Sequence, residues 1–429
     1  MAEARRRLVV VYDRGAAGAV ELVTSLRPVA ELRFLLADSA QAQAAGRVLG
    51  ALKVDTAPLD GDLPDADGVV TFSDRMVRAT AAMAERLGRP GHTPATAAAL
   101  TDKARQRAVL AEAGVDDVPS IEVAGLAEAT AAVGRIGVPV VVKPVRGEGS
   151  GATYPVRGLA DLPAVFAAAA AEYGAAGPFV VERLLVGVDH GPLGDYVSVE
   201  LVASGGTITV AGVTGKLPLL PPFRECANLR PHGVPLAEAD AAADLAVRAA
   251  RALGVTDGVL HAEVKLTADG PHIIEVNGRL GGFIAEITRR ATGLDLIATA
   301  GRVALGEPVE VAYEEPDRVM FQWFDNPPLG ANRLLAVTGA QRVKAHPAVA
   351  SYTTLVPARS ACDPGVGTQL LDLVCGSAAS HAELPGLLTE ILAELSFTFA
   401  LAGGESLTLR GDELRRRNLA AAEPVGAGR

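Results

Sequence analysis

Polar and apolar residues alternate most informatively in Leu260–Gly282. Two alternating runs flank Asp269-Gly270, a combination that predicts a β-hairpin turning there. A hairpin centred near Asp269 sets Glu263 opposite Glu275 and His261 opposite Asn277. Side chains two apart share a face. His261, Glu263 and Lys265 therefore lie beside Glu275, Asn277 and Arg279, while Leu260, Ala262, Val264, Leu266, Ile274 and Val276 form a core face. Directly opposed like charges are destabilising, so the two carboxylates and the amide oxygen ask for a cation. Hard oxygen ligands of this kind suit Mg²⁺. A solvated strand face with incidental charges is the competing reading. It loses ground because Asn277 and Arg279 continue the same face into a Gly-Gly turn.

Elsewhere the pattern alternates strand-like and helix-like pieces. Leu8–Tyr12, Leu32–Leu36 and Gly68–Phe72 read as buried strands with Ala-rich helical stretches between them, which predicts a small parallel sheet with crossover helices. Thr101–Gly114 reads as an amphipathic helix with a capping residue and a closing glycine. Val138–Pro144 is a short buried strand interrupted by Lys143, and the glycine-rich loop Gly147–Ala152 follows it. Phe179–Leu185 is a further strand, and Tyr196–Val202 pairs with Thr207–Val213. The irregular stretch Gly215–Pro235 has the length of a functional loop. Beyond Pro308 the chain is β-rich, with a last helix near 381–395 and a poorly ordered tail after Gly411.

Composition narrows the functions open to the chain. Its 429 residues suffice for two to four domains. The net charge of −10 comes with no basic stripe of interleaved aromatics, which argues against nucleic acid as a partner. Gly15 and Gly18 lack a third glycine at dinucleotide-binding spacing. The opening apolar run stops at Asp13, too short for a signal peptide, and no stretch reaches the ~18 apolar residues of a membrane span. Cys226, Cys362 and Cys375 form no disulfide framework, and Cys226 has no visible base partner. A cytoplasmic protein is expected.

Candidate chemistry gathers around a few residues. A buried lysine is costly unless it meets an anion, so Lys143 predicts a phosphate or a core acid nearby. The Gly149-Ser150-Gly151 loop, six residues on, can fold its N–H groups over the same anion or merely make a turn. His190, His232, His272 and His346 share no metal-ligand spacing, and Trp323 reads as core. Arg224 and Glu225 are equally consistent with substrate contact and with a loop salt bridge.

Five elements in order resemble the ATP-grasp superfamily: Lys103 in Asp-Lys-x-x-x-Arg, Lys143 in Val-Lys-Pro, the Gly-Ser-Gly loop, Glu182 in Val-Glu-Arg-Leu-Leu, and Glu263…Glu275-x-Asn277-x-Arg279. The resemblance covers about residues 1–400. It implies an α/β ATP-grasp fold, with a pre-ATP-grasp domain over 1–97 and the ATP-grasp domain over 98–308. The lid lies at about 128–185, a biotin-carboxylase-like cap over 309–405 and a tail over 406–429. It further implies that Lys103 and Lys143 hold the ATP phosphates under a mobile lid carrying Gly149, Ser150 and Gly151. Glu182 to Leu185 take the adenine, and Asp189 is the ribose candidate, with Lys265 also at the nucleotide. Glu263, Glu275 and Asn277 hold two Mg²⁺ ions, for which Mn²⁺ can substitute. Arg279 meets the transferred phosphoryl group and the substrate carboxylate.

Within the superfamily the chain is most similar to bacterial L-amino acid ligases of the bacilysin-synthetase type. The segment 186–195, the stretch 215–231 and Arg279-Leu-Gly-Gly-Phe283 carry that narrower likeness. It implies ATP-dependent joining of a carboxylate to an amine, with Lys216, Glu225, Gly282 and Phe283 bordering the substrates, and it admits a homodimer. A carboxylating or purine-type ligase and a non-catalytic ATP-binding module are the alternatives.

Overall fold

The computed structural model describes residues 5–61, 65–173, 177–363 and 365–421. The chain opens with a parallel sheet of β1 (Arg7–Tyr12), β2 (Glu31–Leu36), β3 (Asp55–Pro58) and β4 (Gly68–Thr71), in the order β3-β2-β1-β4. The middle of β1 is buried on both faces, as a run of Leu and Val between crossover helices requires. The pattern had not marked β3, which is short and half-exposed.

A second sheet, ordered β5-β8-β6-β7, is built from β5 (Ser120–Val123), β6 (Val140–Pro144), β7 (Tyr154–Val156) and β8 (Phe179–Arg183). It carries Lys143 and Glu182 and extends from the glycine loop, beginning some residues before the lid boundary expected at 128.

The largest sheet is antiparallel and eight-stranded. It contains β9 (Tyr196–Ser204), β10 (Thr207–Lys216), β11 (Ala227–Arg230), β12 (Gly258–Thr267), β13 (Gly270–Asn277) and β14 (Val319–Trp323). A further strand, β15 (Ala331–Thr338), belongs elsewhere, and β16 (Val349–Thr354) and β17 (Asp372–Ala378) complete the order β13-β12-β9-β10-β11-β14-β17-β16. The boundary expected at 308 therefore divides one continuous sheet. One face of it packs on helix Leu236–Ala252, whose Ala239, Ala242, Leu245, Ala246 and Ala249 form the buried stripe. The opposite face is largely polar and holds the site.

The hairpin register is as expected at the functional end, with Glu263 opposite Glu275 and His261 opposite Asn277. Two details differ. The strands are joined through Ala268-Asp269, one residue earlier than expected, and a bulge shifts the register after Glu263, so that Ile273 instead of Ile274 enters the core. The bulge adds one residue on one strand and moves the following side chains to the other face.

The C-terminal part adds a three-stranded sheet of β15, β18 (Ser396–Leu401) and β19 (Ser406–Arg410). The expected tail is ordered through helix Gly411–Leu419, which buries Leu414 and Asn418. Its charged sequence hid this anchoring, to which buried Gly411 and Asp412 also belong; residues 422–429 lie outside the described residues. Among the described residues no helix is long and apolar enough to cross a membrane.

Candidate active site

The polar face of the large sheet is assembled by strand pairing. Glu275 faces Glu263, Glu263 faces Ser198, and Ser198 faces Thr214. One row along, Lys216 faces Asn228 and Asn228 faces Gln322. His261, at the next position on β12, lies 2.9 Å from buried Glu200 and 3.6 Å from Glu263. Burial alone would push this imidazole down, but Glu200 and then Glu263 push its pKa up to about 9. The imidazolium in turn outweighs burial at Glu263 and holds that carboxyl below its ordinary range. Gly281 makes this packing possible, since a Cβ there would lie 2.4 Å from His261 Nδ1.

Lys103 reaches the same face from a different element. It starts helix Lys103–Glu112, whose N-terminus is capped by Asp102 accepting from the Arg105 N–H. Its Nζ donates to Glu275 Oε1 at 2.8 Å and to the Gly147 carbonyl at 3.1 Å. Burial would lower this ammonium's pKa; Glu275 first, then Asp74 and Glu263, raise it above its ordinary value.

One helical turn on, Arg107 makes a two-pronged contact with Glu182 at 3.0 and 3.2 Å, and Lys143 Nζ lies 2.5 Å from the same carboxylate. Lys143 therefore meets a core acid, and the carboxylate of Glu182 is committed to two cations. Burial works against ionisation of Glu182, yet Arg107 and Lys143 hold its pKa down to about 2. Lys143 itself is lowered, by burial first and by the nearby Arg107 and Lys103 against the pull of Glu182. Lys103, Arg107 and Lys143 thus gather at one place, each against a carboxylate. Arg107 stands in the Asp-Lys-x-x-x-Arg motif, but spacing alone gave it no role.

Arg279 is fixed from outside the hairpin. Its Nε donates to Asp74 Oδ2 at 2.8 Å, Nη2 donates to the same oxygen, and Nη1 donates to the Leu280 carbonyl at 2.7 Å. Asp74 follows β4 of the N-terminal sheet, 205 residues away in sequence. A lone acid in a turn carries no local pattern, so sequence reading missed it. Gly282 is exposed. Phe283 adopts a left-handed backbone (φ 60°), and its half-buried ring packs 5.4 Å from Phe324 beside Leu373 and Cys375.

The stretch 215–231 contributes a buried row. Lys216 is 2% exposed; its Nζ donates to Asn228 Oδ1 at 2.8 Å and Glu225 Oε1 at 3.1 Å and lies 5.7 Å from the Tyr196 ring centre. Asn228 donates to Gln322, which donates to Glu286 at 2.6 Å. Tyr196, Asn228, Gln322 and Glu286 were not expected here, because strand pairing brings the first three together and Glu286 reaches them from helix Ile284–Thr292. Arg224 resolves to neither of its expected roles: it is buried and donates to the Pro221 and Pro327 carbonyls at 3.0 and 2.7 Å.

Lys265 flanks Tyr196 from the other side and pairs with Asp195 at 2.6 Å. Asp189 is exposed and accepts from the Gly191 N–H within its own turn. The glycine loop has Gly149, Ser150 and Ala152 at positive φ, and Glu148 pairs with Arg14 and Arg75 of the N-terminal domain. His190 and His346 each sit beside one acid, and His272 sits between Asp116 and Asp269. Among the described residues no group of three or more His, Cys, Asp or Glu side chains is placed to hold a metal.

Residues 136–287 match the family model of the ATP-grasp domain, and the chain has the α/β ATP-grasp fold. It is similar to human carnosine synthase 1, with 28% identity over 267 residues that cover 56% of this chain and 31% of the human protein. Alanine–anticapsin ligase of Bacillus subtilis is 26% identical over 253 residues, 54% of this chain and 52% of that one. The chain thus spans about a third of the length of the human relative and about half that of the bacterial one. In three dimensions it resembles an L-amino acid ligase from Bacillus licheniformis, with TM-score 0.73, 20% identity and coverage of 92% and 98% of the two chains. The biotin carboxylase domain of Hydrogenobacter thermophilus 2-oxoglutarate carboxylase, solved with MgADP, gives TM-score 0.69 at 15% identity, covering 98% of this chain and all of that one.

Proposed function

We propose that the protein is an ATP-dependent ligase that joins the carboxylate of one amino acid to the amine of a second through an acyl phosphate, releasing ADP and phosphate. The observation that carries this reading is the 2.8 Å contact of Lys103 with Glu275, directly across from Glu263. It brings a phosphate-binding cation against an acidic pair on one face. The relatives named as a carnosine synthase and an alanine–anticapsin ligase support amino acids as the reactants.

The hard-oxygen set of Glu263, Glu275 and Asn277 fits Mg²⁺, and the like charges of the opposed carboxylates favour a cation between them. Two ions are proposed, with Mn²⁺ as a substitute; when bound they neutralise charge on the β- and γ-phosphates. Lys103 and Lys143 orient those phosphates, and Arg107 keeps Glu182 ionised beside them. Backbone of the Glu182–Leu185 stretch takes the adenine. Asp189 or Asp195, with Lys265, lies on the ribose side.

A carboxylate oxygen of the donor, held by Arg279, attacks the γ-phosphorus and ADP departs. The acceptor amine then attacks the acyl carbon, Arg279 stabilises the developing oxyanion, and phosphate leaves. Glu225, half-exposed beside Lys216, is positioned to receive the proton that the amine gives up. Closure of the Gly147–Ala152 loop keeps water from the acyl phosphate. Gly282 and Phe283 border the donor. The three cysteines are buried and unpaired, which fits a reducing cytoplasm. A screen of amino acid pairs with ATP and Mg²⁺, scored by phosphate release and product mass, tests the reading; ATP turnover with no amide product would overturn it.

A further inference from the structure

The glycine loop is held by a part of the chain that no motif marked. Residues 365–368, between β16 and β17, dock against it through backbone and a single plug. The Thr368 N–H donates to the Gly149 carbonyl at 2.8 Å. The Val366 N–H donates to Glu172 Oε2 at 3.1 Å, and the other oxygen of Glu172 accepts from the Ala152 N–H at 2.6 Å. The Val366 side chain, 4% exposed, is part of the hydrophobic core formed by Val140, Val142, Tyr154 and Leu162 of the second sheet and its helices. Gly365 and Gly367 allow the approach, since a Cβ at 365 would lie 2.5 Å from Glu172 and one at 367 would lie 3.1 Å from Gly151 Cα.

The same few residues grip the stretch that carries Lys216 and Glu225. The Thr368 Oγ1 accepts from the Glu225 N–H at 3.0 Å. The Glu225 carbonyl accepts from Asn326 Nδ2 at 2.9 Å, and Asn326 Oδ1 accepts from the Gln369 N–H at 3.1 Å. The Glu225 N–H is thereby tied to Thr368 directly, and its carbonyl is tied to the adjoining Gln369 through one amide. Thr368 touches the loop with its backbone and the acceptor stretch with its side chain, so neither can move far without the other.

We propose that residues 365–368 are a latch for the glycine loop, and that Thr368 is a positioning residue that couples closure of that loop to the order of the Glu225 stretch. Its consequence for catalysis rests on the ligase reading: an acyl phosphate forms under a closed loop only when the acceptor side is also in place. No bond is made or broken by the latch itself. Coupling of this kind needs an element with two arrangements that both sites bias, and the latch supplies the shared contact.

Amide hydrogen exchange on the nucleotide-free full chain tests it, with Val366→Ser withdrawing the plug and Thr368→Val removing only the hydroxyl. Val366→Ser is expected to speed exchange at Gly149–Ala152 and at Glu225 together, by at least roughly tenfold, because both are protected by one local opening. Thr368→Val is expected to speed exchange at Glu225 with an unchanged melting temperature. Unchanged exchange at Gly149–Ala152 in Val366→Ser, or an Glu225 amide as protected in either variant as in the natural chain, overturns the latch. Because this measurement needs no nucleotide, its failure is distinct from failure of the ligase reading. In turnover with ATP and an amino acid pair that the natural chain joins, Thr368→Val is expected to release phosphate in excess of amide. Equal stoichiometry in the two proteins overturns the coupling.

Discussion

The guanidinium of Arg279 is held by Asp74, a residue of the N-terminal domain 205 positions earlier in the chain. Burial opposes the charge on Arg279, but Asp74 first, then Glu275 and Glu263, raise its pKa above the ordinary arginine value. The pair ties Arg279, two residues beyond β13 of the acidic hairpin, to the N-terminal domain.

Asp74→Asn keeps the shape of that contact and removes its charge. The expected result is a fall in kcat/KM for the carboxylate substrate of about tenfold, mainly in kcat, since a misoriented group costs chemistry more than binding. Steady-state kinetics at saturating ATP checks it. A rise in kcat/KM would mean that Asp74 competes with the substrate carboxylate for Arg279.

Lys143→Met removes a cation from the cluster proposed to face the ATP phosphates. Calorimetric ATP affinity is expected to drop about tenfold or more. The nucleotide-free protein is also expected to lose ~1–3 kcal/mol, because Glu182 forfeits a buried hydrogen-bonded partner while Arg107 retains it. The pairing of Lys143 with Glu182 is what ties this stability to Lys143. Unchanged ATP affinity would remove Lys143 from the nucleotide site.

Glu182 gives the fold a specific acid sensitivity. Its pKa falls from 4.5 to about 2 on folding, so its contribution is fully present above about pH 4.5 and is lost as the pH falls towards 2. Glu182→Gln is expected to be less stable at neutral pH and to flatten the decline between pH 4.5 and 3. Denaturant unfolding across that range checks it; parallel curves for the two proteins would place the acid sensitivity elsewhere.

The hairpin was legible because period-two alternation and a turn signal fix which side chains oppose, and the facing of Glu263 and Glu275 followed from counting. The bulge after Glu263 was not legible, since one inserted residue leaves no compositional trace, and it exchanged Ile273 for Ile274 in the core. Asp74, Tyr196, Gln322 and Thr368 were invisible for a common reason: each reaches the site by tertiary pairing, and none has a local pattern. The order of the last helix was hidden by its charge, because only Leu414 is an apolar anchor among its buried residues Gly411, Asp412, Leu414 and Asn418.

Phe283 stands at the border of packing and recognition. Its ring contacts Phe324, so Phe283→Ala is expected to cost ~2–3 kcal/mol, below the full value for a buried phenylalanine because the side chain is half-exposed. Donors with bulkier side chains are expected to be accepted by the same variant. Lost stability with unchanged donor preference would assign Phe283 to packing alone.

The central claim is that the facing carboxylates serve an amide-forming reaction driven by ATP. The most direct measurement is phosphate release and product mass for amino acid pairs with ATP and Mg²⁺, run beside Glu275→Gln. The account predicts one phosphate and one ADP per amide in the natural chain, and a loss of at least roughly a hundredfold in the variant at a similar melting temperature. Near-normal ligation by Glu275→Gln, or phosphate release by the natural chain that no amine converts into amide, would contradict it.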